Sequence, residues 1–230
     1  MNDVATVSGP AAMRWRLRAS LALLPIGLIF MAAAAWGAWV VQTSPGLTLL
    51  GLDLPEYVKF LPAVRSGQLS LVREVFYLPL VVLGVGLNLL ALVTRGLWPR
   101  GLRLVLGLLS IPCALALLPP AWSPATFSQA EYRVQVVVMA GMLLFGAVTL
   151  LLVWWQDATV PAARGLHVAG GVVFIACALA AVFPLWTWQQ IQPAVATIYN
   201  HPVPLGWGGW ALGMGALYLA LGGILLAGRR

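Results

Sequence analysis

Four charged side chains stand in two short segments, and they are the strongest candidates for polar chemistry in this chain. Arg73-Glu74 and Glu131-Tyr132-Arg133 each come directly before a long apolar run. Neighbouring residues on a helix diverge by about 100°, so we expect ion pairs between the two segments, Arg73 with Glu131 or Glu74 with Arg133. A carboxylate in the first helical turn is also stabilised by the helix dipole. The sequence therefore predicts an outer polar ring of Arg73, Glu74, Glu131 and Arg133.

Tryptophan is concentrated on the same side of the chain as these charges. Seven of the eleven tryptophans fall near the outer ends of the apolar runs. A belt of Trp and Tyr at each membrane interface accounts for their presence. A binding pocket accounts for the imbalance as well, since ligand sites are mostly apolar and aromatic. Both interpretations stay open. The candidate pocket residues are Trp36, Trp39, Trp122, Trp186, Trp188, Trp207 and Trp210.

Motifs of catalytic, metal or cofactor sites are absent from the sequence. It contains no H-E-x-x-H, G-x-S-x-G or Walker A pattern. His167 and His201 fall at opposite membrane faces, which argues against a haem held by both. Cys113 and Cys177 stand alone in apolar runs. We therefore predict no catalytic residue, no metal and no cofactor. If the protein is an enzyme, its polar constellation is Arg73, Glu74, Glu131, Arg133 and His201.

Small residues at four-residue spacing indicate close helix packing. Gly209 and Gly213 form a small-xxx-small pattern in the last apolar run, and Ala34 and Ala38 form a weaker one in the first. Such pairs let helix backbones approach each other closely inside a membrane. The pattern leaves open whether the packing partner belongs to this chain or to another.

Composition identifies the class of protein that must position these residues. Of 230 residues, 61% are apolar and only 8% are charged, whereas a soluble domain is about 25% charged. The chain cannot build a polar shell, which excludes a soluble globular domain and a disordered one. The net charge of +7 is spread over short segments, so it suits lipid headgroups rather than nucleic acid. We predict an integral membrane protein whose first partner is the lipid bilayer.

Six apolar runs approach the length of about 20 residues that a membrane helix needs. The first run has 23 residues, longer than the 7–15 of a signal peptide, and we interpret it as a retained helix. Residues 1–18 form a basic cytoplasmic segment, 19–227 a single membrane domain and 228–230 a cytoplasmic tail. The predicted fold is an all-α six-helix bundle with spans 19–41, 75–94, 102–118, 134–155, 166–186 and 205–227.

The distribution of basic residues predicts the orientation of this bundle. With both termini inside, nine basic residues lie on the cytoplasmic side and four, Lys59, Arg65, Arg73 and Arg133, lie outside. The positive-inside rule favours this arrangement, and we expect a bacterial cytoplasmic membrane. The outer connections, 42–74, 119–133 and 187–204, are then the long ones.

The outer connections also contain helix signals. Asp53 and Glu56 fit a capping box, with Leu54, Tyr57, Val58 and Leu61 on one face. This predicts a short amphipathic helix at the interface. Ser128 and Glu131 fit a second capping box before the fourth span. Within the spans, we expect the polar side chains to form helix–helix hydrogen bonds. These side chains are Asn88, Gln135 and Thr149.

Two main functions are compatible with these features. The small-residue stripe and the missing catalytic groups favour a non-enzymatic subunit or accessory protein that packs against partner membrane chains, its own copies or lipid. The outer tryptophans and the amphipathic helix favour a binding or transport protein for an apolar or aromatic small molecule that enters from outside. A membrane enzyme with an outer polar site is the third alternative.

Overall fold

The computed structural model describes residues 10–41, 48–119, 123–155 and 162–228. Helices dominate this part of the chain. Two 3₁₀ helices, Arg73–Tyr77 and Ala130–Tyr132, precede α4 and α7, and strands β1 (Ala38–Val40) and β2 (Leu49–Leu50) pair antiparallel. The helices are α1 (Pro10–Trp36), α2 (Leu54–Val58), α3 (Pro62–Arg65), α4 (Leu78–Val93), α5 (Arg100–Leu115), α6 (Pro124–Ser128), α7 (Arg133–Trp155), α8 (Arg164–Ala180), α9 (Phe183–Tyr199) and α10 (Trp207–Ala227).

Five helical segments within these ranges are long and apolar enough to cross a membrane. This confirms the all-α class and indicates a membrane-embedded protein. The predicted third span corresponds to α5, which has 16 residues and is not one of the five. The five segments are Arg14–Trp36, Arg73–Val93, Ala130–Trp155, Arg164–Tyr199 and Trp207–Ala227.

Helix α4 lies at the centre of the bundle. In the segment Arg73–Val93, which contains α4, 78% of the most apolar 18 residues are buried, against 22% in Ala130–Trp155, which contains α7. On one side, α4 contacts α1 and α8, which both pack on α10. On the other side, it contacts α5 and α7, which also pack on each other. Two groups of helices therefore flank α4: α1, α8 and α10 on one side, α5 and α7 on the other.

Glycines bring the helices of the first group together. A Cβ atom on Gly27 of α1 would lie 2.9 Å from Leu219 of α10, and one on Gly222 of α10 would lie 2.8 Å from Leu24 of α1. Gly171 of α8 and Gly223 of α10 meet backbone to backbone, because a Cβ on either would lie within 2.8 Å of the other's carbonyl oxygen. Side chains at these positions would force the helices apart.

The predicted packing pair on α10 lies beside these contacts rather than in them. The nearest atom to a Cβ on Gly213 would be Leu185 Cδ1, at 4.0 Å, and Gly209 is covered by the side chain of Leu205. Gly215 and Gly222 face α1, and Gly208, seven residues before Gly215, faces the turn at Gly37 that follows α1. They lie on a neighbouring face of α10, because one residue turns a helix by about 100°.

The first span ends earlier than predicted. Helix α1 stops at Trp36, and the chain turns at Gly37 into β1 instead of continuing as a helix to Val41. Two backbone bonds secure the exit: Gly51 N donates to Gly37 O at 3.1 Å, and Leu52 N donates to Ala35 O at 2.9 Å. Ala34 is fully buried in the helix, but Ala38 belongs to the strand, so the two do not form a helical packing pair.

The fifth span and the connection after it also differ from the prediction. Helix α8 ends at Ala180, and α9 covers most of the stretch 187–204 that we expected to be a loop. Pro184 stands in the first turn of α9, where its missing N–H costs no helical hydrogen bond. A left-handed Asn200, with φ of 57°, ends α9.

The predicted amphipathic helix is present as α2, and its apolar face is confirmed. Leu54, Val58 and Leu61 are buried. The predicted caps are present only in part. Asp53 stands at the N-cap position of α2, but its side chain makes no capping hydrogen bond, and its carboxylate instead accepts from Leu50 N at 3.2 Å. Ser128 is the last residue of α6 rather than the cap of a following helix, whereas Ser123 caps α6 by accepting from Thr126 N at 3.1 Å.

The connecting segments gather at one end of the bundle. Residues 38–41, 48–77, 123–132 and 183–206 form a layer that we call the cap, in which Trp39 of β1 contacts Trp188 of α9. At the opposite end, Arg16 Nη1 donates to Gly228 O at 3.0 Å, and Ala162 N donates to Arg95 O at 3.2 Å. The start of α1 and the end of α10 therefore lie together, away from the cap.

Candidate polar site in the cap

Five charged side chains form one network in the cap, which we call the ion cluster: Glu56, Lys59, Arg73, Glu74 and Glu131. Arg73 is its centre. Its Nη1 atom lies 2.9 Å from Glu131 Oε1 and 3.5 Å from Glu56 Oε1, and its Nε atom lies 3.3 Å from Glu74 Oε1. Arg73 Nη2 also donates to Glu131 O at 3.0 Å. One guanidinium thus ties α2, the start of α4 and the start of α7 together.

The sequence predicted part of this cluster. The pair between Arg73 and Glu131 is present as expected. The pair between Arg73 and its neighbour Glu74 was not expected, and it forms because the long arginine side chain brings Nε back to its own segment. Arg133 is exposed at the start of α7 and takes no part in these ion pairs. The role of these residues as a functional site stays a prediction.

Two members of the cluster were missed. Lys59 Nζ lies 2.5 Å from Glu56 Oε2 and 3.2 Å from Glu131 Oε1. The spacing of Glu56 and Lys59, three residues apart on a helix, is a signal for an ion pair. The sequence patterns assigned Glu56 to a capping box and Lys59 only to the outer side, so they did not pair the two.

The ring of Tyr132 also attracts the two cations of the ion cluster. The Tyr132 ring centre lies 5.7 Å from Lys59 Nζ and 5.7 Å from the Arg73 guanidinium carbon, within the range of a cation–π contact. Partial burial lowers the pKa of Lys59, but its bonds to Glu56 and Glu131 outweigh burial and raise that pKa to about 12. Lys59 is therefore a fixed positive charge at neutral pH.

A cavity of about 250 Å³ lies beside the cluster, where α4 and α7 begin. Glu74 is its one charged lining residue, and Tyr77 and Gln135 are the other polar ones. Two apolar lining residues, Val72 and Val134, are 64% and 55% exposed, so the cavity opens to the surface of the bundle between the two helices. The remaining walls are apolar: Val75, Leu78, Val81, Leu117 and Val138.

The candidate tryptophans do not line this cavity. Trp39 and Trp188 are buried with ring centres 6.0 Å apart, and Trp39 also meets Phe76 edge-on at 5.9 Å. Trp186 is exposed because two residues along a helix turn its side chain to the face opposite Trp188. Trp36, Trp207 and Trp210 are exposed too, and Trp122 lies outside the described residues. Six of the tryptophans therefore divide into a packed core pair and four exposed residues, of which Trp36 also lines a cavity between α1, α4 and α5.

Buried polar side chains lie between α4, α5 and α7. Gln135 of α7 donates to Leu117 O, which confirms the expected helix–helix bond. Asn88 instead donates to Gly84 O of its own helix at 3.0 Å, and its Oδ1 atom has no hydrogen-bond partner. Thr149 is fully buried, and its hydroxyl has no partner either. Two of the three predicted bonds are therefore not formed between helices.

Arg103 is one of the nine basic residues assigned to the cytoplasmic side, and the structure buries it completely. Its Nε atom donates to Ala91 O near the end of α4 at 2.6 Å. Nothing in the sequence indicates this burial, because an arginine in the first turn of α5 could equally face the preceding loop. Arg103 fastens the start of α5 to the end of α4.

A second cavity, of about 360 Å³, lies between α1, α4 and α5. No charged side chain lines it, and its walls include Pro25 of α1, Leu87 of α4 and Pro112 of α5.

His201, the histidine of the possible enzyme site, is exposed near Tyr199 and does not join the ion cluster. Among the described residues, no three His, Cys, Asp or Glu side chains are grouped so that they could hold a metal ion.

Comparisons with known proteins found no match: no family model matches this sequence, and no curated protein or solved structure matches it.

Proposed function

We propose that this protein binds an apolar small molecule in the cavity between the starts of α4 and α7. The observation that carries the proposal is the lining of this cavity, which is almost wholly apolar, with Glu74, Tyr77 and Gln135 among the residues that border it. Ligand sites are typically apolar with a few convergent polar groups. At about 250 Å³ the cavity is just below the usual 300–1,000 Å³, so it fits a small ligand or one end of a longer one.

Most close glycine contacts of α10 do not require a partner subunit. Gly215 and Gly222 face α1, Gly208 faces the turn at Gly37, and Gly223 faces α8, so these contacts are made within the chain. The predicted pair, Gly209 and Gly213, lies outside them and still belongs to the packing-subunit alternative.

We also propose the six-span arrangement with both termini in the cytoplasm of a bacterium. Arg16 bonds Gly228 at one end of the bundle, and a chain whose two ends meet crosses an even number of times. The five long apolar segments and α5 together give six crossings. Its 16 residues span about 24 Å, short of a bilayer core of ~30 Å. The turn that follows α5, together with Pro119, would cover the remaining distance across the bilayer core.

A neutral alkyl diazirine, activated by light in nanodiscs and mapped by peptide mass spectrometry, tests the proposed site. We expect labelling of the 72–81 and 134–138 segments, and Val138→Trp should remove most of it by filling the cavity. Val137→Trp is the matched control, because Val137 is 64% exposed and does not line the cavity. Equal labelling of the wild type and Val138→Trp would overturn the proposal.

A second candidate function is an accessory protein that holds lipid or a partner membrane chain. The cavity between α1, α4 and α5 favours it, because its lining is apolar on all three helices. A hydrocarbon chain can cover such an apolar surface without making any polar contact. Labelling of Leu87 and Leu109 in the same experiment, unaffected by Val138→Trp, would support this role.

A further inference from the structure

The cavity between α1, α4 and α5 is a groove that opens at the surface of the bundle. Helix α4 forms its floor, with Leu83, Leu87 and Leu90 all more than nine-tenths buried. Helices α1 and α5 form its walls, because both pack on α4 rather than on each other. At the edges of the walls, Ile29 and Leu109 are 68% and 49% exposed. The groove therefore faces away from α4, toward the membrane.

Close contacts between the helices shut the groove along its floor. On one side, Leu28 of α1 fills the space beside Gly86 of α4. On the other side, a Cβ atom on Gly84 of α4 would lie 3.5 Å from the Cβ atom of Cys113 in α5. A molecule in the groove is thus enclosed by protein on three sides, and it enters from the fourth, which the bilayer covers.

The length of the groove matches one leaflet of a bilayer. On α1 the lining extends from Pro25 to Trp36, which is about 16 Å at the rise of an α-helix. Half of a bilayer core is about 15 Å. Trp36 is the last residue of α1, where the chain enters the cap, and tryptophan is favoured at the level of the lipid head groups. The groove therefore runs from the head-group level on the cap side to about the middle of the membrane.

The lining of the groove suits a hydrocarbon chain. Trp36 and Cys113 carry its only polar side-chain groups, and the Cys113 thiol already donates to Leu109 O at 3.3 Å. A polar ligand would lose its hydrogen bonds to water there without replacement. A chain of methylene groups has no such bonds to lose, and it gains dispersion contacts with three walls.

We infer that the groove holds one acyl chain of a phospholipid from the leaflet on the cap side. The head group would lie at Trp36, and the end of the chain would lie near Leu90 and Leu106, at the other end of the lining. This rests on the second candidate function above, and it names the lipid and the leaflet from which it comes. It is independent of the cavity between α4 and α7.

Phosphatidylcholine with a diazirine on one acyl chain tests the position and direction of the chain. One probe carries the diazirine beside the ester and the other carries it beside the chain end. In phosphatidylcholine nanodiscs, we expect the first to label Leu83 several-fold more than Leu90, and the second to show the reverse. Both leucines are buried in the floor, so a chain must lie inside the groove to reach them. Equal labelling by the two probes, the opposite gradient or no labelling of either leucine would overturn the inference.

A variant that fills the groove tests the same site from the protein side. Ala32→Trp adds an indole to the α1 wall, and it should remove most of the labelling of Leu83 and Leu90. Ala176→Trp is the matched control, because it adds the same side chain to an exposed alanine of α8 that does not line the groove. Its labelling should equal that of the wild type. Unchanged labelling in folded Ala32→Trp would contradict the inference, and if that variant does not fold, the gradient in the wild type decides.

The lipid assignment and the function on which it rests can fail separately. If the neutral diazirine labels Leu87 and Leu109 but the lipid probes show no gradient, the groove accepts hydrocarbon and only the assignment to a phospholipid chain is wrong. If neither kind of probe labels the groove, the second candidate function fails as well. Labelling beside Val138 reports on the other cavity in either case.

Discussion

The two sides of α4 are held together by different means. On the side of α1, α8 and α10, glycines let backbones meet, as Gly171 and Gly223 do, and the buried groups there are mostly apolar. On the side of α5 and α7, the interface contains buried polar side chains, among them Asn88 and Thr149 with unpartnered oxygen atoms. The first side is packed through the backbone, and the second through side chains.

This difference indicates where the molecule can accept a ligand. Backbones in contact leave no volume between helices, and the interior there is as dense as any protein core. Helices held by side chains can leave volume between them, and the cavity at the starts of α4 and α7 lies on this side. The ion cluster bridges the same two helices above it. Polar groups and charge therefore coincide on one side of α4, and the second cavity lies where the two sides meet, between α1, α4 and α5.

The largest expected effect tests the backbone-packed side. In Gly171→Ala, the new Cβ would lie 2.6 Å from Gly223 O and 2.7 Å from Ala227 N. Because both are backbone atoms, α8 and α10 must separate, and overpacking of this kind costs roughly 1–3 kcal/mol. We expect a clear loss of stability in SDS-mediated reversible unfolding.

Gly213→Ala is the matched control on α10. Its Cβ would have Leu185 Cδ1 at 4.0 Å as its nearest neighbour, an ordinary contact. Alanine is favoured over glycine in a helix by up to ~1 kcal/mol, so this variant should be unchanged or slightly more stable. Similar losses in both variants would show that the close contact at Gly171 does not hold the two helices.

The glycine contacts also show how far the sequence could be read. The small-residue character of α10 was evident, and so was its use in close packing. The face was not, because Gly208, Gly209, Gly213, Gly215 and Gly223 are spread over about 160° of the helix circumference at 100° per residue. Only the position of α1 and α8 decides which of them are enclosed. The glycine content of α10 alone therefore predicts close packing, but it does not identify the helix that packs there.

A smaller effect tests the side-chain-packed side. Thr149 is fully buried and its hydroxyl has no partner, so the group is desolvated without compensation, at a cost of about 1–3 kcal/mol. Thr149→Val keeps the shape and removes the hydroxyl. We expect it to stabilise the protein by about 1 kcal/mol in the same unfolding assay.

Thr94→Val is the comparison for this change. Thr94 is equally buried, but its hydroxyl donates to Leu90 O at 2.7 Å. Its loss removes a satisfied hydrogen bond, so the substitution should be destabilising or neutral. If Thr149→Val is as harmful as Thr94→Val, the Thr149 hydroxyl is engaged, and the two sides of α4 differ less than the geometry indicates.

The ion cluster shows a different limit of sequence reasoning. Arg73 and Glu131 could be paired because each precedes an apolar run, and runs that enter a membrane from one side bring their first turns together. Lys59 and Glu56 lie in a cap helix whose position no periodicity fixes. Their place in the cluster depends on α2 packing against the 3₁₀ turn at Arg73–Tyr77, a tertiary contact.

The smallest expected effect tests how Lys59 ties the cap to α7. Its pKa is raised from 10.5 to about 12, because its bonds to Glu56 and Glu131 outweigh partial burial. A folded-state pKa above the unfolded value means stabilisation that is fully present below about pH 10.5 and is lost as pH rises through about 12. The stability difference between the wild type and Lys59→Met should therefore shrink over that window in thermal unfolding. Lys59→Arg should show no such loss, because arginine keeps its charge there. A difference between the wild type and Lys59→Met that is constant across the window would mean that Lys59 contributes through its hydrocarbon stem and not through its charge.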